Sequence, residues 1–273
     1  MAFDQTHWVA KRRSAPLPTF YYHEHFVEML DFIDQHYAHV LLPEHVSYMS
    51  SFRTLTREAQ CLYVRLVNRK GRVFATDRLR YPELGEQRPL LKELRNHEWI
   101  GAPSAEQFHD VLTFLTRREI YDAVLPNVTG LGRSLKKAEL VQFAVENIDA
   151  SEFMDWLQSE RLLVQHRVRE TRFLLFLYFG RVQDGLSKFT LRDLGLVQTR
   201  SSEESFEPRF SDREEALENF YFADRLQLMD KPSNEQLQCL IGGVSEWPRA
   251  NFSSSATLRD KLAYRLGRQA EQA

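Results

Sequence analysis

Residues Gln60 to Tyr81 read QCLYVRLVNRKGRVFATDRLRY, and their spacing decides what kind of domain surrounds them. Leu62 and Leu66, widened by Tyr63, Val64 and Val67, recur at helical intervals, so an amphipathic helix runs through the first half. Arg65 and Arg69 stand four residues apart and project from one side of that helix. Gly71 is placed to end it. Val73-Phe74-Ala75 predicts a short strand, and Thr76 or Asp77 is placed to cap a second helix carrying Leu79 and Leu84. Leu90, Leu91 and Leu94 form a third helical stripe, and Trp99-Ile100 predicts a closing strand. Helix, short strand, helix, helix, strand is a winged-helix-like order.

The same stretch concentrates charge. From Arg53 to Tyr81 eight Lys/Arg face only Glu58 and Asp77, in a chain of 273 residues whose formal net charge is −2. Cations beside an apolar stripe, with Tyr63 and Tyr81 at its edges, suit a polyanion, DNA or RNA first. From charge alone, a solvated basic helix face in an ordinary small domain is the other reading.

Working outward, the length allows two domains or three small ones, and 43% hydrophobic residues supply a sizeable core. No apolar run reaches 18 residues, and Lys11-Arg12-Arg13 leads into Ser14-Ala15-Pro16 rather than a signal-peptide apolar block. Cys61 and Cys239 are the only cysteines, which fits a reducing compartment: the cytoplasm with its nucleoid in a bacterium, or the nucleus in a eukaryote. The expected fold is mainly α with a few short strands. Residues 1–18 read as a tail and 19–103 as the winged-helix-like domain, opened by an amphipathic helix from Tyr21 to Leu42 with Phe26, Met29, Leu30 and Ile33 inward. In 104–149, Leu112, Leu115, Ile120 and Val124 share one helical face. A polar turn at Gly130–Ser134 follows, and Lys136-Lys137 start the next helix. This resembles a SAP-like helical pair that binds DNA backbone; a plain helical hairpin is the alternative. A small mixed α/β segment spans 150–230, with Phe173–Phe179 as a buried helix, a strand being the alternative, and Phe189–Val197 as a strand and turn. Residues 231–273 read as a linker and a final amphipathic helix.

Specific pieces of Phe20–Ile100 resemble the N-terminal part of the Fanconi-associated nuclease family, the VRR-type structure-specific DNA repair nucleases. They are YYHEHF from Tyr21, LYVRLVNRK from Leu62, LRY from Leu79, and Leu94 through Ile100, in the family's order. The resemblance continues more weakly toward the end of the chain. It implies binding of branched or 5′-flapped DNA, in interstrand crosslink repair, with DNA contacts at Tyr22, Arg65, Arg69, Lys70 and Tyr81. Lys136 and Lys137 would add contacts from the SAP-like part.

The family's nuclease centre needs carboxylates for Mg or Mn and a Glu-x-Lys strand. None of the eight lysines has a Glu two residues earlier, so that centre and its metal are expected outside this chain, either in a missing nuclease domain or in a separate subunit. No catalytic residue and no cofactor is assigned. His23, His25, His36 and His39 cluster on one predicted helix, but no further ligand completes a metal site, and solvated histidines are expected. A second class of function is a non-catalytic interaction scaffold. It would use the acidic stretch Glu203–Glu235 and the aromatic Asn219-Phe220-Tyr221-Phe222 to bind a protein partner.

Overall fold

Thr56 sets the start of the central helix. Its hydroxyl accepts the Ala59 N–H, and Glu93 accepts both the Thr56 N–H and the Thr56 hydroxyl proton at 2.7 Å. One capping residue thereby fixes two helices: α3 (Arg57–Val67) and α4 (Gln87–Asn96). α3 buries Ala59, Cys61, Leu62, Tyr63, Val64, Leu66 and Val67, the face its periodicity predicts. The computed structural model describes residues 18–124, 134–157, 161–182, 207–230, 232 and 234–271. The 1–17 tail, the turn at 130–133 and the strand at 189–197 lie outside the described residues.

Around α3 stand α1 (Tyr21–Tyr37), α2 (Pro43–Thr54), β1 (Val73–Ala75) and β2 (Ile100–Gly101). Then come α5 (Phe108–Phe114), α6 (Arg117–Val124), α7 (Lys137–Asn147), α8 (Ala150–Leu157), β3 (Leu162–Gln165) and α9 (Val168–Phe179). α10 (Arg213–Leu228), α11 (Asn234–Gly242) and α12 (Ser253–Ala270) follow. The chain is mainly α with one small antiparallel sheet, as its pattern predicts.

The sheet has order β1-β3-β2, so the two strands expected around the basic stretch form without pairing to each other. β3 arrives from far along the sequence and pairs Phe74 with Leu163 and Gly101 with Val164. Alternation then divides its side chains between two cores. Phe74 and Leu163 face a core built from α1, α2, α3, α4 and α9. Val73, Ala75, Leu162 and Val164 face a second core with Phe108, Leu112, Ile120, Leu140 and Phe153. The strand joins segments that the sequence pattern sets apart. A third cluster, with Phe222, Leu226, Leu262 and Leu266, ties α10 to α12. There the Glu218 carboxylate accepts from the Ser255 hydroxyl at 2.6 Å and from the Asn251 amide at 2.7 Å.

Local expectations change in three places. The helix expected to carry Leu79 and Leu84 is instead two short 3-10 turns, Thr76–Arg78 and Pro82–Leu84. Pro82 opens the second turn and Gly85, at φ 62°, closes it. Gly71 does not cap α3, which ends at Val67 with Asn68 as its cap; Gly71 takes φ 80° in the turn into β1, where a side chain would be strained. The single helical face from Leu112 to Val124 is broken in two. Thr116 and Glu119 exchange reciprocal bonds, the Thr116 N–H donating to Glu119 and the Glu119 N–H to the Thr116 hydroxyl, and this starts α6 afresh.

Candidate nucleic-acid interface

The basic stretch is folded into two kinds of cation. Arg53 pairs with Asp31 and Asp34, Arg65 with Glu83, Arg72 with Asp110 and Arg78 with Glu119. Arg57, Arg69, Lys70 and Arg80 have no carboxylate partner among the described residues, and all four are exposed. Half of the charge that the sequence displays is therefore spent internally. The rest gathers on α3 and the turns after it.

Arg65 belongs to the internal half. Its Nε donates to Glu83 at 2.9 Å, and its guanidinium lies 3.9 Å over the centre of the Tyr22 ring. Tyr22 is only 2% exposed. Burial, with the nearby Cys61 thiol, pushes its phenol well above the ordinary tyrosine range against the pull of Arg65. Burial also acts to raise the Glu83 carboxyl, but its backbone hydrogen bond and Arg65 outweigh it and hold Glu83 below the usual carboxylate range. Tyr22, Arg65 and Glu83 thus form a part-buried brace between α1, α3 and the Pro82–Leu84 turn. The Tyr22 ring has no face open for a base.

The outward half starts one helical turn later. Arg69 donates to the Tyr81 hydroxyl at 3.2 Å, and Arg65 sits 5.6 Å from the Tyr81 ring centre. Tyr81 is half-buried, Arg69 and Lys70 exposed. Arg69 and Tyr81 present a guanidinium and a phenol side by side, and Lys70, next in the chain, adds an exposed ammonium; all are donors matched to phosphate oxygens. Lys136 and Lys137 belong to the second core's helices. The Lys136 backbone N–H donates to Glu139 at 2.7 Å, leaving its exposed ammonium outward, while Lys137 Nζ donates to the Thr113 carbonyl at 2.6 Å.

Sequence reasoning missed Arg57 and Arg80 as outward cations and missed every neutralising acid. Glu119 receives both Arg78 and Arg161, at 3.2 and 3.0 Å. Burial acts to raise its carboxyl, but hydrogen bonds from Thr116 and the two arginines hold it down at about 2. The histidines also differ from expectation: His23 and His25 are buried, His23 against Gln60 at 2.7 Å, and His39 bonds the Phe210 carbonyl at 3.0 Å. Among the described residues, no group of three His, Cys, Asp or Glu is arranged to hold a metal ion, and no helix is long and apolar enough to cross a membrane. The aromatic stretch assigned to a scaffold is mostly interior, with Asn219, Phe220 and Phe222 buried.

Residues 20–101, which carry this surface, match the family described as FAN1, HTH domain. The chain is 27% identical over 249 residues to a Fanconi-associated nuclease 1 homolog of Pseudomonas aeruginosa, covering 87% of this chain and 44% of that protein. It is 24% identical over 246 residues to a homolog from Arabidopsis thaliana, covering 83% and 27%. The chain thus spans less than half the length of these curated relatives. Its fold matches paFAN1 crystallised with a 2-nucleotide 5′-flap DNA containing a gap, at TM-score 0.73 and 25% identity, over 94% of this chain and 47% of that one. The paFAN1 complex with a 1-nucleotide 5′ flap gives 0.74 at the same coverage. Residues 20–101 therefore match a FAN1-type HTH domain, within a longer stretch similar to the N-terminal region of the Fanconi-associated nucleases.

Proposed function

We propose that this chain holds branched or flapped DNA by its backbone, at the surface formed by Arg57, Arg69, Lys70, Arg80 and Tyr81. Lys136 and Lys137 extend it. A nuclease domain or subunit using Mg or Mn would do the cutting, in the repair of structures such as interstrand crosslinks. The observation that carries this reading is the set of four exposed cations without carboxylate partners in the domain that matches the FAN1 HTH family. Charge left unpaired by the fold remains available to release counterions from phosphates. Such contacts read backbone and shape rather than sequence, which suits a repair protein. The similarity to a protein solved with flap DNA favours that substrate over RNA.

The test is the double substitution Arg69→Ala with Lys70→Ala. Flap-DNA binding should weaken by about 2–4 kcal/mol at low salt, taking each charge-assisted phosphate contact at roughly 1–2 kcal/mol. Circular dichroism should be unchanged, because both side chains lie beyond the buried face of α3. Lys136→Ala with Lys137→Ala should cost less, since Lys137 already donates to a backbone carbonyl. A folded Arg69/Lys70 double variant that binds flap DNA like the parent refutes this surface.

A further inference from the structure

The last helix carries a second basic and aromatic surface, apart from the one just described. α12 buries Leu262 and Leu266 against α10, and its opposite side is left open. Tyr264 is 66% exposed, the most exposed large apolar side chain among the described residues. Lys261, Tyr264, Arg265 and Arg268 fall within one arc of the helix, because residues three, four and seven apart return to the same side. Arg265 is anchored by Asp230 at 2.9 Å. Lys261 and Arg268 have no carboxylate partner among the described residues. These side chains, with Met229 and Gln269, line a cleft of about 410 Å³ that contains no acidic residue.

We propose that this cleft binds an unpaired nucleic-acid strand, with one base stacked on Tyr264 and the flanking phosphates on Lys261 and Arg268. A flat, solvent-facing ring between two free cations is the arrangement that holds single strands without sequence preference. The cations stand roughly 10 Å apart along the axis at 1.5 Å per residue, so the ring lies between them. An acidic protein segment is the less suitable occupant. Such an interface centres on buried apolar anchors, and here the single aliphatic lining residue, Met229, is already buried in the third core.

The experiment titrates the full chain into fluorescently labelled oligo-dT and reads anisotropy. Tyr264→Ala, and separately Lys261→Ala with Arg268→Ala, should each weaken oligo-dT binding about tenfold or more, the usual cost of losing one base–aromatic stack. Tyr264→Trp should retain binding. Binding of blunt duplex DNA by the same variants should stay within about twofold of the parent, since a duplex offers no unpaired base and separate sites act independently. That last comparison separates this cleft from the HTH surface, whichever of the two fails. Parent-like binding by the Tyr264 and Lys261/Arg268 variants overturns the proposal. So does a loss seen only in the Arg69/Lys70 variant. An oligoglutamate peptide that binds these residues while oligo-dT does not would assign the cleft to a protein partner and overturn it as well.

Discussion

Arg65 and Arg69 are one helical turn apart and do opposite work. Arg69 reaches outward to the Tyr81 hydroxyl, whereas Arg65 lies between the Tyr22 ring and the Glu83 carboxylate. Removing Arg65 leaves a part-buried carboxylate unpaired and uncovers an aromatic ring. Arg65→Ala should therefore lower stability by about 1–3 kcal/mol in urea denaturation, while Arg69→Ala should change it by less than about 0.5 kcal/mol. Equal midpoints for the two variants would contradict the division. His45 is a second residue whose environment sets its chemistry. Its Nδ1 accepts the Leu42 N–H at 3.1 Å and its ring stacks on Phe173 at 4.2 Å. Burial, aided by Arg169 and Arg213 and opposed by Glu44, pushes its pKa from 6.5 down to about 4. The unfolded imidazole takes up a proton near 6.5 and the folded one only near 4, so in that interval the unfolded state binds more protons. Stability should then fall as pH drops through that window, by at most about 3 kcal/mol. His45→Gln, which cannot titrate there, should flatten this part of the profile in denaturation midpoints measured across it.

Among the elements, β3 carries the most consequence because both its neighbours and both its faces are occupied. Leu163 packs into the first core and Leu162 into the second. Leu162→Ala and Leu163→Ala should each cost about 2–5 kcal/mol. Thermal melts should stay single and cooperative, since either change loosens the wall shared by both cores. A variant with two separated transitions would show that the cores fold independently. The helices around the site are legible in the sequence because they have one wet face: α1, α3 and α4 show the 3.6-residue repeat. The inward residues of α1 and α3 are buried, while of the α4 stripe Leu94 is buried and Leu90 and Leu91 are half-buried. β3 is not legible, because Leu162-Leu163-Val164-Gln165 is buried on both sides and lacks alternation. The break before α6 did have a signal, the Thr116-x-x-Glu119 capping pair, which the apolar repeat from Leu112 to Val124 masks. Leu79 and Leu84 mislead in the opposite sense, since Pro82 and Gly85 override their spacing.

At the scale of the whole molecule, the question is how much of the chain's positive charge the fold leaves for a polyanion. Counting residues between Arg53 and Tyr81 gives eight cations. The sequence could not show which were free, because Arg65, Arg72 and Arg78 find their carboxylates 18, 38 and 41 residues away, across turns and between helices. Against burial, its backbone hydrogen bond and Arg65 hold the Glu83 carboxyl below the usual carboxylate range, and Glu119 is held at about 2, so both stay charged at neutral pH. A phosphate must therefore displace a carboxylate to recruit the paired arginines, and that leaves the acid facing the DNA. The unpaired four need no such exchange. Eight contacts would give a slope of log K against log salt near −7, whereas four give roughly −4, and Lys136 with Lys137 extend this to about −5. Flap-DNA affinity measured from about 50 to 200 mM salt should follow the shallower line. A slope steeper than about −6 would mean that the internal pairs open on binding, and Arg72→Ala and Arg78→Ala would then each reduce it by about one. A slope near zero would remove the phosphate contacts from the account altogether.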